Sequence, residues 1–365
     1  MMYSLQDITL IPAEVSTISS RSECNPHYKN GKLPIFVAPM SQIINESNWG
    51  TFNKYVNTII PRNIDIQKRL ELCIYTFCAF SLDEFEEWFI NSVPEDSDEL
   101  FKDVHYVLID VANGHMQKIL DLCEKAKKIW WKNSLIIMAG NVANPATYYE
   151  YAKAGINYIR MSIGSGSQCT TANTGIFYPM ASLITNTSHH RERVIDAINC
   201  GNTEYKSVPM IVADGGFNTH GDIIKALALG ADYVMCGKIF AQTVEACGDI
   251  QFELYSYEFD VMEHGPFQQW VRTKPIEYLI SHQAARNYYG MSTKMAQKEF
   301  GKEGNKTEEG IYSTIPVKWY LDTWISEFTD YLKSAMSYTN HKGLETFVGG
   351  VLWGILSPTA IRTFK

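Results

Sequence analysis

Ser162-Ile163-Gly164-Ser165-Gly166-Ser167-Gln168-Cys169-Thr170-Thr171 delivers one thiol beside two hydroxyls on a loop of small residues, just after an apolar stretch. Glycine lets a backbone adopt positive φ and approach a ligand closely, and successive N–H groups in such a loop form a concave anion site. The pattern reads as a nucleophile on a phosphate-holding loop, with backbone amides favouring the thiolate. A buried structural cysteine is the commoner use of free Cys. That use fits poorly with a residue that follows Gly-Ser-Gly-Ser and precedes Thr-Thr at a strand end.

Other reactive types stand where apolar runs stop. Asp110 ends one run and opens Asp110-Val111-Ala112-Asn113-Gly114, and Asp214 opens Asp214-Gly215-Gly216. Asp before Gly is most often a turn carboxylate. Two such acids on one rim make ligand binding at least as good a reading, since a carboxylate there can hold a sugar diol or orient an amide. Gly237-Lys238, Pro39-Met40-Ser41 and Gly140-Asn141 end further runs. Ser167, Asp214 to Gly216 and Gly237-Lys238 together can converge on one phosphate. His189-His190 reads as a solvated helix start rather than a metal site, and Glu95 to Glu99 as a solvated acidic loop.

The elements that must position these residues are legible as short apolar or β-branched runs: 35–40, 55–60, 75–80, 106–111, 135–139, 158–163, 210–213 and 233–236. Amphipathic segments at 81–90, 115–129, 145–154 and 220–229 lie between them. Alternating strands and helices imply parallel strands with right-handed crossovers, and eight such units close into a (β/α)8 TIM barrel of the α/β class. The cysteine loop and the residues at the ends of the other runs then fall on its carboxyl face, where this fold carries its chemistry. One catalytic barrel over 1–365 is expected, with an aromatic-rich insertion after the last barrel strand at about 250–286 and a short mobile flap at about 293–315.

Composition narrows the function. The 365 residues carry a formal charge of −8, which offers no basic field for nucleic acid. The eight cysteines are irregularly spaced, as in a reduced, cytoplasmic protein. No stretch approaches a membrane-spanning length, so a soluble protein is expected.

Taken together, Asp7-Ile8-Thr9-Leu10-Ile11-Pro12, Ser20-Arg21-Ser22-Glu23, the cysteine loop with Thr174-Gly175 and Pro179, Asp214-Gly215-Gly216, Tyr289-Gly290-Met291-Ser292 and Val348-Gly349-Gly350 resemble the inosine monophosphate dehydrogenase and guanosine monophosphate reductase family. The resemblance implies a purine nucleoside monophosphate attacked at C2 by Cys169, with hydride passing between C2 and a nicotinamide. Asp110 to Gly114, Ala139-Gly140-Asn141-Val142 and Tyr289 to Ala296 are reductase-like. The chain has no Arg-Tyr dipeptide of the kind the dehydrogenase flap uses, and no regulatory CBS module.

On this resemblance the catalytic residues are Cys169, Thr171 and Glu309, the latter two relaying a proton to departing ammonia. Asp110, Ser167, Asp214, Gly215, Gly216, Gly237, Lys238, Tyr289, Gly290, Met291 and Ser292 are the expected substrate-binding residues. Ser41, Arg62, Asn113 and Gly114 are expected on the cofactor, NADPH with NADH as the alternative. A monovalent cation, K+, is a further expectation at the backbone of Gly164, Gly166 and Cys169. The expected activity is reduction of GMP to IMP by a cytoplasmic homotetramer. The competing readings are an IMP dehydrogenase and a non-catalytic nucleotide-binding member, the latter motivated by Ala172, Met180 and Arg62 where the family usually has Arg, Gln and Lys.

Overall fold

Eight parallel strands form one sheet in the order β2-β9-β8-β7-β6-β5-β4-β3. They are β2 (Ile35–Val37), β3 (Ile59–Ile60), β4 (Phe77–Phe80), β5 (His105–Asp110), β6 (Leu135–Val142), β7 (Tyr158–Met161), β8 (Met210–Asp214) and β9 (Tyr233–Cys236). A bridge between Phe36 and Asn57 joins the first strand to the second; Val37 N donates to Asn57 O and Asn57 N to Ile35 O, both at 2.8 Å. The expected barrel is therefore what the chain builds: five of the eight apolar runs contain their strand, and β5, β6 and β8 overlap theirs but extend beyond 106–111, 135–139 and 210–213. The structure, a computed structural model, describes residues 1–94, 102–130, 134–166, 171–252, 266–290, 293 and 310–363.

Helices cover the outside: α1 (Trp49–Asn53), α2 (Ile66–Leu72), α3 (Leu82–Glu86), α4 (Gln117–Ile129), α5 (Thr147–Lys153), α6 (Met180–Asn199), α7 (His220–Ala228) and α8 (Lys238–Ala241). In α4 the buried positions Ile119, Leu122, Cys123 and Ala126 follow the helical repeat that faces one side inward. Capping boxes start α3 at Ser81 and Glu84 and α7 at Thr219 and Asp222, so side chains satisfy orphan amides at the N-termini of both helices. Inside the barrel the floor is aromatic. Phe36, Phe77, Tyr158 and Tyr233, from four strands, pack with ring centroids 5.0–6.1 Å apart, and Tyr106 adds to Phe77 at 5.4 Å. Strand side chains alternate between faces, so Asp110, four residues beyond Tyr106, and Arg160, two beyond Tyr158, stand on that same interior face but higher.

After β9 the chain leaves the barrel. Strands β10 (Ile250–Phe252), β11 (Ala284–Tyr289) and β12 (Tyr312–Pro316) make an antiparallel sheet with β11 in the middle, and helices α9 (Pro266–Arg272) and α10 (Ile276–Ser281) pack on it. Ile250, Val271, Leu279, Ala284 and Val317 form its core together with Val244. Two arginines, buried Arg286 of β11 and half-buried Arg272 of α9, tie this segment to the loop after α8: Arg286 donates to the carbonyls of Ala241, Thr243, Ala246 and Gly248, and Arg272 to those of Val244, Ala246, Cys247 and Gly248. Burial, reinforced by the neighbouring Arg272, pushes Arg286 down to about 9. The segment closes with α11 (Leu321–Tyr338), α12 (Leu344–Phe347), β13 (Trp353–Ile355), which pairs with β1 (Ile8–Leu10), and α13 (Pro358–Thr363). Among the described residues all seven cysteines are free, and no helix is long and apolar enough to cross a membrane.

On the flank, Arg69 of α2 is 3% exposed and donates to the carbonyls of Ile64 and Ala79 and to both carboxylate oxygens of Glu84 at 3.2 and 2.7 Å. Burial pushes the Glu84 carboxyl up, but the bonds from Arg69 and Ser81 outweigh it and hold it below the ordinary range. The folded chain thus binds this proton less readily than the unfolded chain. Its contribution is full above the ordinary glutamate range and is lost as pH falls through and below it. Breaking a buried pair costs about 3–5 kcal/mol. Arg69→Met should lower Tm at pH 7 and flatten the fall of Tm on acidification, checked by thermal melts across pH.

Candidate active site

The carboxyl ends of all eight barrel strands open on one face, and Arg160 of β7 stands at its centre. Its Nη1 donates to Asp110 Oδ1 at 2.6 Å and its Nε to Asp214 Oδ2 at 2.9 Å. Asp214 lies on the adjacent strand β8, but Asp110 lies on β5, with β6 between. Neighbouring strands are about 4.8 Å apart, so the guanidinium reaches Asp110 only by passing over β6. The residue in its path is Gly140, the register partner of Asp110. A Cβ there would lie 2.7 Å from Arg160 Cβ and 2.2 Å from its carbonyl oxygen. The β6–β7 register shifts between Ala139 and Val142, and just there Asn141 Nδ2 reaches across β7 to Asp214 Oδ2 at 2.8 Å.

Side-chain exposure is 11% for Arg160, 14% for Asp110 and 15% for Asp214, so the three charges are largely withdrawn from water. Burial opposes the charge on Arg160, yet the two carboxylates more than offset it and hold the guanidinium firmly protonated. Asp214 Oδ2 takes two donors and Asp110 Oδ1 takes one. The other oxygen of each carboxylate takes none from the described residues. No motif points to Arg160 in the sequence. Strand alternation was the available signal, because a charge placed on the interior face above Tyr158 needs a partner there.

Beside this network the glycines make a close-set cradle. Ser165 Oγ donates to Asp214 O at 3.1 Å and bonds Ser162 Oγ. Gly215 and Gly216 have φ of 79° and 81°, and a Cβ on the first would sit 3.2 Å from Gly166 Cα. The loops after β7 and β8 are thus pressed together. At Gly237 an added Cβ would meet the Tyr288 hydroxyl at 2.6 Å and Met40 Sδ at 3.1 Å. It is Tyr288, then, that reaches the loop after β9. Tyr289 next to it stacks on Tyr312 at 6.0 Å, and Gly290 O accepts from Thr293 N and Oγ1. Lys238, half-buried, makes no salt bridge among the described residues. Thr171 opens a turn in which Thr174 Oγ1 donates to Thr171 O at 2.6 Å. Ser167, Cys169, Met291, Ser292 and Glu309 lie outside the described residues, as does the acidic loop at 95–99.

Of the expected cofactor residues, Arg62 follows β3 and Asn113 and Gly114 follow β5, while Ser41 follows β2. Arg62 Nη1 donates to Asp110 O at 3.3 Å. Asn113 is exposed and its Oδ1 accepts from His115 N, while Gly114 is wedged against Val142, Asn141 and Tyr151. His115 Nε2 accepts from Ala143 N, which leaves Nδ1 to donate to Thr147 Oγ1; burial lowers its basicity and favours this neutral form. Ser41 Oγ accepts from Gln42, and Ser41 O from the Cys247 thiol. His189-His190 lie inside α6 rather than at its start, with His190 bonded to the Tyr149 hydroxyl. No group of three or more His, Cys, Asp or Glu is placed to hold a metal among the described residues.

Comparison with known proteins meets this geometry. Residues 95–258 match the model of the IMP dehydrogenase / GMP reductase domain. The chain is 33% identical over 243 residues to an inosine-5'-monophosphate dehydrogenase of Chlorobaculum parvum, covering 66% of this chain and 43% of that protein. It is 27% identical over 360 residues to a GMP reductase of Streptococcus pyogenes, and 27% over 357 residues to one of Streptococcus equi subsp. equi; both alignments cover 94% of this chain and 92% of the relative. Residues 95–258 thus carry an IMP dehydrogenase / GMP reductase domain, and the chain as a whole is similar to proteins of that family. Members of this family are oxidoreductases that bind purine nucleoside monophosphates and use a nicotinamide cofactor. The chain spans less than half the length of the dehydrogenase relative and nearly all of the reductase ones.

The crossing of Arg160 over Gly140 can be tested by adding one methyl. Gly140→Ala puts a Cβ against backbone rather than a flexible side chain, so β6 and β7 must part. Overpacking of this kind costs about 1–3 kcal/mol. The variant should melt several degrees lower and lose at least tenfold in purine nucleotide affinity, read by differential scanning and titration calorimetry.

Proposed function

We propose that this chain reduces GMP to IMP with NADPH, through a covalent bond between Cys169 and purine C2. The observation that carries this reading is length: the GMP reductases align with 94% of the chain and over 92% of their own length, whereas the dehydrogenase match covers 43% of that protein. The described rim supports it. The free oxygen of Asp214 can accept from the ribose hydroxyls, and the Gly215-Gly216 and Gly237-Lys238 loops with Ser167 would surround the phosphate. Tyr288, whose hydroxyl borders Gly237, joins the phosphate side of the list, with Tyr289, Gly290, Met291 and Ser292 following it around the base.

The thiolate of Cys169 attacks C2, and the amino group leaves as ammonia after taking a proton relayed by Thr171 and Glu309. Asp110, fixed by Arg160, would orient the amine. Arg62, Asn113, Gly114 and Ser41 would hold the cofactor. The exposed carboxamide of Asn113 and the guanidinium of Arg62 fit a dinucleotide, since they offer the donors and acceptors a nicotinamide carboxamide and a phosphate use. When bound, the reduced nicotinamide supplies the hydride that takes the place of sulfur on C2, so that GMP, NADPH and a proton give IMP, NADP+ and ammonia. The carbonyls of Gly164, Gly166 and Cys169 would hold a monovalent cation beside the reacting loop.

The higher identity of the dehydrogenase match favours a second reading, oxidation of IMP to XMP with NAD. GMP-dependent NADPH oxidation with stoichiometric ammonia, abolished in Cys169→Ala, is the expected result. IMP-dependent NADH production would favour the second reading, and tight nucleotide binding without turnover in either direction would leave only a binding role.

A further inference from the structure

We propose that Arg160 is a positioning residue that couples recognition of the ribose at Asp214 to the placing of Asp110, three strands away. This deepens the reading above and rests on its assignment of a purine nucleoside monophosphate to this rim. One guanidinium serves both acids, through Nε to Asp214 and Nη1 to Asp110, so neither carboxylate is set independently of the other. Each acid keeps one oxygen outside the network, and those two oxygens are what a ligand meets. A hydroxyl bonded to Asp214 Oδ1 draws on a carboxylate whose Oδ2 already takes Arg160 and Asn141. Any shift of that carboxylate is transmitted to the guanidinium, and from it to Asp110.

The path is short and stiff. Arg160 is nearly buried, its Cβ is pinned by Gly140, and its stem rises from the aromatic floor at Tyr158. Arg62 braces the far end by holding the carbonyl of Asp110. A planar guanidinium can hold two carboxylates at fixed angles, whereas a lysine ammonium is a point charge on a flexible stem and cannot reproduce both contacts. Arg160→Lys therefore keeps the charge and loses the coupling. Arg160→Met would leave two carboxylates facing one another and is the variant at risk of not folding.

The test uses the full-length protein with GMP and 2'-deoxy-GMP as ligands, for wild type, Asp110→Asn, Arg160→Lys and the double variant, read by titration calorimetry. In wild type the missing hydroxyl should weaken binding about tenfold, as expected for one lost bond to a charged group. Asp110→Asn should change that deoxy penalty at least threefold although Asp110 is three strands from Asp214, and in the Arg160→Lys background the same substitution should leave the penalty unchanged. A merely structural role for Arg160 would weaken both ligands equally and keep the ratio fixed. Deoxy penalties that are the same with and without Asp110→Asn in wild type would overturn the proposal. Because the ratio is read from binding, a protein that binds GMP but turns nothing over would defeat the proposed reaction while still deciding the coupling.

Discussion

Two carboxylates on one barrel rim repel each other unless something between them carries positive charge, and Arg160 is that something. Its guanidinium bridges β5 and β8 from β7, and the surrounding sequence accommodates the crossing. Gly140 removes the side chain that would block it, and the register shift in β6 turns Asn141 toward Asp214. Beneath it, the rings of Phe36, Phe77, Tyr106, Tyr158 and Tyr233 fill the barrel, so the charged layer rests on a packed floor rather than on water. A buried ion network of this kind adds little to stability but fixes geometry, because any partner that moved would leave a charge unpaired.

The segment that follows the last barrel strand serves the same rim from the other side. Arg272 and Arg286 donate to main-chain carbonyls of 241–248. They thereby set the loop after α8 against β11, and β11 in turn brings the Tyr288 hydroxyl to Gly237. Gln268 holds β10 by bonding both N and O of Ile250, which anchors α9 to the same sheet. The described aromatic residues of this segment pack on one another, most of them half-buried and Trp270 exposed. Phe252 packs with Phe267, Tyr278 and His282, and Lys274 lies 4.1 Å over the Trp270 ring.

Much of the fold is legible in the sequence because parallel barrel strands are short, apolar and β-branched, and every run from 35–40 to 233–236 became a strand. Glycine and aspartate at the run ends marked the rim for the same reason: backbone must turn there. What stayed hidden was long-range. Arg160 sits in Tyr-Ile-Arg-Met, an ordinary alternating strand, and its meaning depends on Asp110 and Asp214 some fifty residues away on either side. Tyr288 and Tyr289 are adjacent and alike in sequence, and only the register of β11 against β12 decides which faces Gly237. Asn57 closes the barrel through a single bridge, a contact no local pattern encodes.

The chemistry assigned to this rim comes down to the fate of one hydrogen at purine C2. Incubating the protein with GMP and NADPH deuterated at the nicotinamide C4, then recovering the nucleotide for proton NMR and mass spectrometry, follows that hydrogen directly. The account predicts IMP carrying deuterium at C2, with the C2 proton signal absent and ammonia released in equal amount. IMP bearing hydrogen at C2, or unchanged GMP after many equivalents of NADPH, would contradict it.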